Sequence, residues 1–88
     1  TGAVNFPQVE LPPSAGTHRL LNIHRNVPGV LRDINRIVSD VNANIERQVL
    51  ATDPHIGYLL MDINADVSAE VEERVNGLQA SIKTRVLF

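Results

Sequence analysis

Apolar and polar residues alternate, then recur at helical spacing, then alternate again along most of the chain. From His18 to His24, Leu21 and Ile23 fall on one side and Leu20, Asn22 and His24 on the other, the period of a β-strand. Val30, Leu31, Ile34, Ile37, Val38 and Val41 then recur at the three-and-four spacing of an amphipathic helix, with Arg32, Asp33, Asn35, Arg36 and Asp40 opposite. The helix is expected to stop near Asn42-Ala-Asn44, because asparagine tolerates a left-handed φ and can stand in for a terminal glycine. Ile45–Thr52 and Ile56–Ala65 alternate again around the turn Asp53-Pro-His55, which predicts a hairpin. Gly57, Leu59, Met61 and Ile63 share one face of its second strand. Asp66 and Ser68 are candidate N-caps of a second helix with the stripe Val67, Val71, Val75 and Leu78. Glu70, Glu72 and Glu73 are read as its solvated face, and Ile82–Phe88 as a last strand.

Strand, helix, strand, strand, helix, strand is the split βαβ order of ferredoxin-like α+β folds. It predicts a four-stranded antiparallel sheet with both helices on one face, since each helix has a single apolar stripe. The other face is expected to be mixed, interrupted by Leu20, Leu50, Tyr58, Leu60 and Leu87. That leaves a partner surface and ordinary scattered surface apolars as open readings.

Residues 1–17 hold Gly2, Pro7, Pro12, Pro13 and Gly16, and no period survives so many breakers. They are read as a linker, with residues 18–88 as the folded domain. Val4 and Phe6 are more apolar than a free tail requires, which suggests docking on a neighbouring domain. The chain opens on Thr1 and its one methionine is Met61, so we expect a piece of a longer protein.

Composition narrows the chemistry. Eighty-eight residues suffice for one modest core, and the formal net charge of −2 lacks the basic footprint of a nucleic-acid binder. Phe6, Tyr58 and Phe88 are too few aromatics for a base-stacking sheet. Without cysteine there is no disulfide framework, thiolate site or cysteine nucleophile. No apolar run reaches the ~20 residues of a membrane span, and no secretory leader is visible, so a cytoplasmic address is expected. His18 and His24 stand about 20 Å apart at strand rise, so no metal site is expected. Neither a dinucleotide-binding glycine fingerprint nor a catalytic constellation is present.

The stretch Asn22-Ile-His-Arg-Asn-Val-Pro-Gly-Val-Leu31 carries the most chemistry. A strand ends in polar side chains, turns once and opens a helix. Unpaired N–H groups and the dipole at a helix start suit a small anion. Pro28 is expected to preset the first helical turn and Gly29 to permit close approach. His24 and Asn26 supply donors and acceptors beside it. The plainer readings remain open: His24 as a solvated or hydrogen-bonded side chain at a strand end, Asn26 as a helix cap or turn residue, Asn44 as a helix stop, and Pro28-Gly29 as a helix start and nothing more.

These residues carry a family likeness. The βαββαβ order with Asn26-Val-Pro-Gly-Val-Leu31 resembles an ACT domain, a small amino-acid-binding regulatory module. Thr1-Gly-Ala-Val-Asn-Phe-Pro7, Ile23-His24 before the turn, Asn44-Ile45, Gly57-Tyr58 and the terminal aromatic are similar to the C-terminal regulatory domain of bacterial D-3-phosphoglycerate dehydrogenases. The resemblance implies that L-serine, the end product, binds between two such domains and inhibits an NAD-dependent oxidation of 3-phosphoglycerate performed elsewhere in the parent. It implies a site of His24, Asn26, Val27, Pro28, Gly29, Val30 and Leu31 from one subunit and Asn44 from the other, in a homo-oligomer joined through these domains. Residues 1–17 would then be the exit from the nucleotide-binding domain. Arg25, where an acidic residue is common, and Asn42, where glycine is common, depart from the pattern, and Arg25 would add positive charge near the ligand. Two alternatives stand beside this reading. One is a dimerisation module without a ligand. The other is a small acylphosphatase-like hydrolase using Arg25 beside Asn26.

Overall fold

The computed structural model describes residues 13–88. The expectations for Val4, Phe6 and the rest of residues 1–12 lie outside the described residues. The order is β1 (Thr17–Arg25), α1 (Val30–Asp40), β2 (Ile45–Thr52), β3 (Ile56–Asn64), a single 3-10 turn (Ala65–Val67), α2 (Ser68–Asn76) and β4 (Ser81–Val86). The strands form one antiparallel sheet in the order β2-β3-β1-β4, the expected ferredoxin-like arrangement. Both helices lie on one face. Val30, Ile34 and Val38 of α1 and Val71 and Val75 of α2 share a core with Leu20, Leu59, Met61 and Ile63.

Leu20 therefore does not interrupt the face away from the helices. It sits under the helices at 1% exposure, because β1 pairs with β3 so that Leu20 faces Met61. An isolated strand with apolar residues on both sides does not say which side is inward; the pairing register does. Leu50 also turns to the helix side, opposite Leu59, but on an edge strand, where it stays exposed. Tyr58 and Leu60 lie on the face opposite the helices as expected, across from Ile23 and Leu21, and Leu60 is buried there.

The face away from the helices holds a feature with no mark in the sequence pattern. Arg19 and Asp62 face each other across β1 and β3. Arg19 donates from Nε and Nη2 to the two carboxylate oxygens at 2.7 and 2.9 Å, a forked pair in which Arg19 is fully buried. Arg47 Nε lies 3.9 Å from the same carboxylate, and the Arg19 guanidinium sits 5.6 Å from the Phe88 ring centre. β4 ends at Val86 rather than Phe88. Beyond it the Arg19 N–H donates to the Phe88 carbonyl while the Arg19 carbonyl accepts from Leu87, so two residues face one as in a bulge.

The helix ends follow local chemistry. Asn42 takes φ 59°, and the N–H groups of Asn42 and Ala43 reach the carbonyls of Ser39 and Val38, the paired bonds of a Schellman stop. The expected caps of α2 do not form: Val67 is the N-cap, and among the described residues no side chain caps that helix. Ser68 Oγ instead donates to the Ala65 carbonyl and meets His18 Nδ1 at 2.6 Å, and Asp66 accepts from Asn64. Glu72 is more than a solvated side chain, since its Oε2 accepts the Val86 N–H at 3.1 Å on the β4 edge.

Candidate functional site

The sheet has two chemically different ends. At one lie the end of β1, the Asp53–His55 turn, the residues entering β4 and the start of α1; Thr17, Asn64 and Asn44 lie at the other.

The turn into α1 differs from the expectation in one respect. Pro28 precedes the helix instead of opening it. Gly29 is the N-cap, at φ 90° and ψ −7°, the conformation of the third residue of a type II turn, where proline suits the second position. Gly29 is thus needed for its left-handed backbone, and the Arg32 guanidinium folds over it. The first bond inside the helix runs from the Asp33 N–H to the Gly29 carbonyl at 3.0 Å. The N–H groups of Val30, Leu31 and Arg32 precede it, and among the described residues no side chain caps them. Hydrogen-bond donors suited to an anion are therefore available at this end.

Asn26 is held against the neighbouring hairpin. Its N–H donates to the His55 carbonyl and its Nδ2 to the Asp53 carbonyl, both at 2.8 Å, which leaves Oδ1 as the end able to accept. Asp53 shapes that turn: its carboxylate accepts from the N–H groups of His55 and Ile56, which hold its pKa below the usual carboxylate value. Arg25 directs its guanidinium to the Gln79 carbonyl at 3.2 Å, on the β4 side. Val27, which follows Asn26, is exposed.

Of the two plain readings of His24, the hydrogen-bonded side chain holds and the solvated one does not. It is 3% exposed, and its ring covers Gly57 on the adjacent strand, where an added Cβ would fall 2.3 Å from Nε2. Nδ1 lies 2.8 Å from Asn22 Oδ1. Burial lowers the pKa of the ring. Sequence reading missed both neighbours as site residues. Their only signals were the i, i+2 polar pair on one side of a strand and a glycine inside another strand.

Asn44 stands apart. It is exposed, and its backbone N–H donates to Asn64 Oδ1 at 2.7 Å. β1 runs from Thr17, opposite Asn64, to His24, opposite Gly57, a rise of about 23 Å. One chain therefore brings His24, Asn26 and the Pro28–Leu31 helix start together and does not bring Asn44 to them.

Residues 20–83 match the family model described as an AHAS small subunit-like ACT domain. Over 99% of its length the chain is 52% identical to D-3-phosphoglycerate dehydrogenase of Dictyostelium discoideum, and over 98% it is 42% and 40% identical to those of Haemophilus influenzae and Escherichia coli. It spans about a fifth of the length of these relatives (21% in each case). Among solved structures, the ACT domain from GTP pyrophosphokinase of Chlorobium tepidum superposes with a TM-score of 0.72 at 18% identity, covering 81% of this chain and 96% of that one. A homoserine dehydrogenase from Thiobacillus denitrificans gives 0.64 at 22%, covering 81% of this chain and 16% of that one. At these identities the two structures show the fold alone.

Proposed function

Because the chain belongs to the ACT-domain family, we propose that it is the effector-sensing regulatory module of a D-3-phosphoglycerate dehydrogenase, and that the effector is L-serine. The observation that carries this is identity of 40–52% to such dehydrogenases along essentially the whole chain. The parent would oxidise 3-phosphoglycerate with NAD in domains outside these residues, at a cytoplasmic address, and the module itself performs no chemistry.

The geometry supports this reading. The serine carboxylate suits the uncapped N–H groups of Val30 and Leu31, and Asn26 Oδ1 can accept from the ammonium. A second acceptor comes from Asn44 only if another copy supplies it. Edge strand β2 starts beside Asn44, ends beside the Asp53 turn that Asn26 grips, and exposes Ile45 and Leu50. Two copies joined antiparallel along β2 about a two-fold axis would carry each Asn44 to the other's Asn26 end. L-Serine then bridges two chains, and its binding favours the associated state.

Titration calorimetry with L-serine, D-serine and glycine, run beside sedimentation of the same samples, tests this. Saturable L-serine binding that tightens association is expected. A dimer giving no heat with any amino acid would leave a dimerisation module and remove the effector.

A further inference from the structure

Asn22 is a buried polar side chain, 1% exposed beneath the helices, and its amide is oriented from both ends. Nδ2 lies 3.2 Å from the Lys83 carbonyl, 2.9 Å from Thr84 Oγ1 and 3.1 Å from Ser81 Oγ. A main-chain carbonyl only accepts, so the NH2 end of the amide faces β4 and the oxygen faces away. That oxygen is 2.8 Å from His24 Nδ1. An amide oxygen also only accepts, so Nδ1 carries the hydrogen. In a neutral imidazole the other nitrogen, Nε2, is then a bare acceptor. Burial favours the neutral ring. Among the described residues no hydrogen bond runs to Nε2, and no buried side-chain nitrogen or oxygen lacks a partner, so Nε2 keeps a path to solvent.

We propose that Asn22 is a positioning residue that locks His24 as the Nδ1–H tautomer, so that Nε2 receives the hydroxyl hydrogen of the effector. The proposal rests on the L-serine reading. With the carboxylate at the α1 start and the ammonium on asparagine oxygens, the hydroxyl is the one group of L-serine still without a partner. A ring locked the other way would present N–H to that position and compete for the carboxylate. The lock makes the site selective for a hydroxyl-bearing amino acid over L-alanine, which has the same carboxylate and ammonium. L-Alanine seated against Nε2 would close its path to solvent and offer it no donor, which weakens L-alanine by roughly 10-fold or more.

The test is a long-range 1H–15N correlation spectrum of the 15N-histidine-labelled chain above pH 7, with His18 and His55 as internal comparisons, followed by calorimetry with L-serine and L-alanine. The expected result has His24 Nδ1 as the protonated, pyrrole-type nitrogen and Nε2 as the bare one, with L-serine at least about 10-fold tighter than L-alanine. Asn22→Ala should shift His24 towards the Nε2–H tautomer and erase that preference while sedimentation still shows the same assembly. If Asn22→Ala does not fold, the wild-type spectrum decides alone. An Nε2–H wild-type ring overturns the lock even if L-serine binds. Equal affinity for L-serine and L-alanine overturns the hydroxyl assignment. An Nδ1–H ring in a chain that binds no amino acid leaves the lock standing and overturns the L-serine reading instead.

Discussion

Gly57→Ala places one methyl group against the centre of the site. Gly57 has no positive φ, so its backbone accepts alanine without strain. The added Cβ would lie 2.3 Å from His24 Nε2, 2.8 Å from Cε1 and 2.9 Å from Cδ2, whereas ordinary contact is about 3.5–4.0 Å. The ring must retreat by more than an ångström, and the 2.8 Å bond to Asn22 cannot survive that. Overpacking costs about 1–3 kcal/mol, and a buried amide oxygen left without its donor about 1–3 kcal/mol. The two overlap, so we expect a loss of about 2–4 kcal/mol in urea unfolding, with Tm lower by roughly 10 °C or more. With His24→Ala already in place the clash is gone. There Gly57→Ala should be neutral, or stabilising by up to about 1 kcal/mol through the unfolded chain. The double-mutant cycle should thus give a coupling of about 2 kcal/mol or more. A coupling below about 0.5 kcal/mol would show that the ring does not cover Gly57 and would refute the reasoning.

Three further outcomes follow from named groups. Burial lowers the His24 pKa from 6.5, so the unfolded chain takes up that proton first; stability is full above pH 6.5 and falls as pH drops below it, and urea midpoints across that range should flatten in His24→Gln. Asp62→Ala removes the carboxylate from buried Arg19 and should cost about 3–5 kcal/mol in chemical denaturation, most of it recovered when Arg19 is also replaced by methionine. Asn42→Gly should be neutral or slightly stabilising at φ 59°, whereas Asn42→Val should lose about 1–2 kcal/mol of thermal stability.

How legible these features were depended on whether their cause is local. The α1 stripe and its asparagine stop are written in consecutive residues, and both form as read. The side of the sheet that Leu20 faces is set by its register with Met61, sixty-one being far from twenty in sequence, and the strand alone did not reveal it. The Arg19–Asp62 pair is likewise a cross-strand contact between residues that each look like surface charges. At the site, Pro28-Gly29 marked a turn correctly, but the φ of 90° at Gly29 moved Pro28 out of the helix. His24 was recognised by its place before the turn, whereas its orientation depends on Asn22 and on three groups of β4. Asn44 could be named from the family pattern, and the fold adds that it lies at the far end of the same sheet.

Mixing two defective variants tests most directly whether two copies build one L-serine site. His24→Ala and Asn44→Ala should each assemble and each fail to bind. Mixed and allowed to exchange, half the dimers pair one of each, and each such dimer regains one of its two sites. Calorimetry should then find about a quarter of the wild-type number of L-serine sites at near wild-type affinity. A mixture as silent as its components, or an Asn44→Ala variant that binds L-serine as the wild type does, would contradict a site shared between chains.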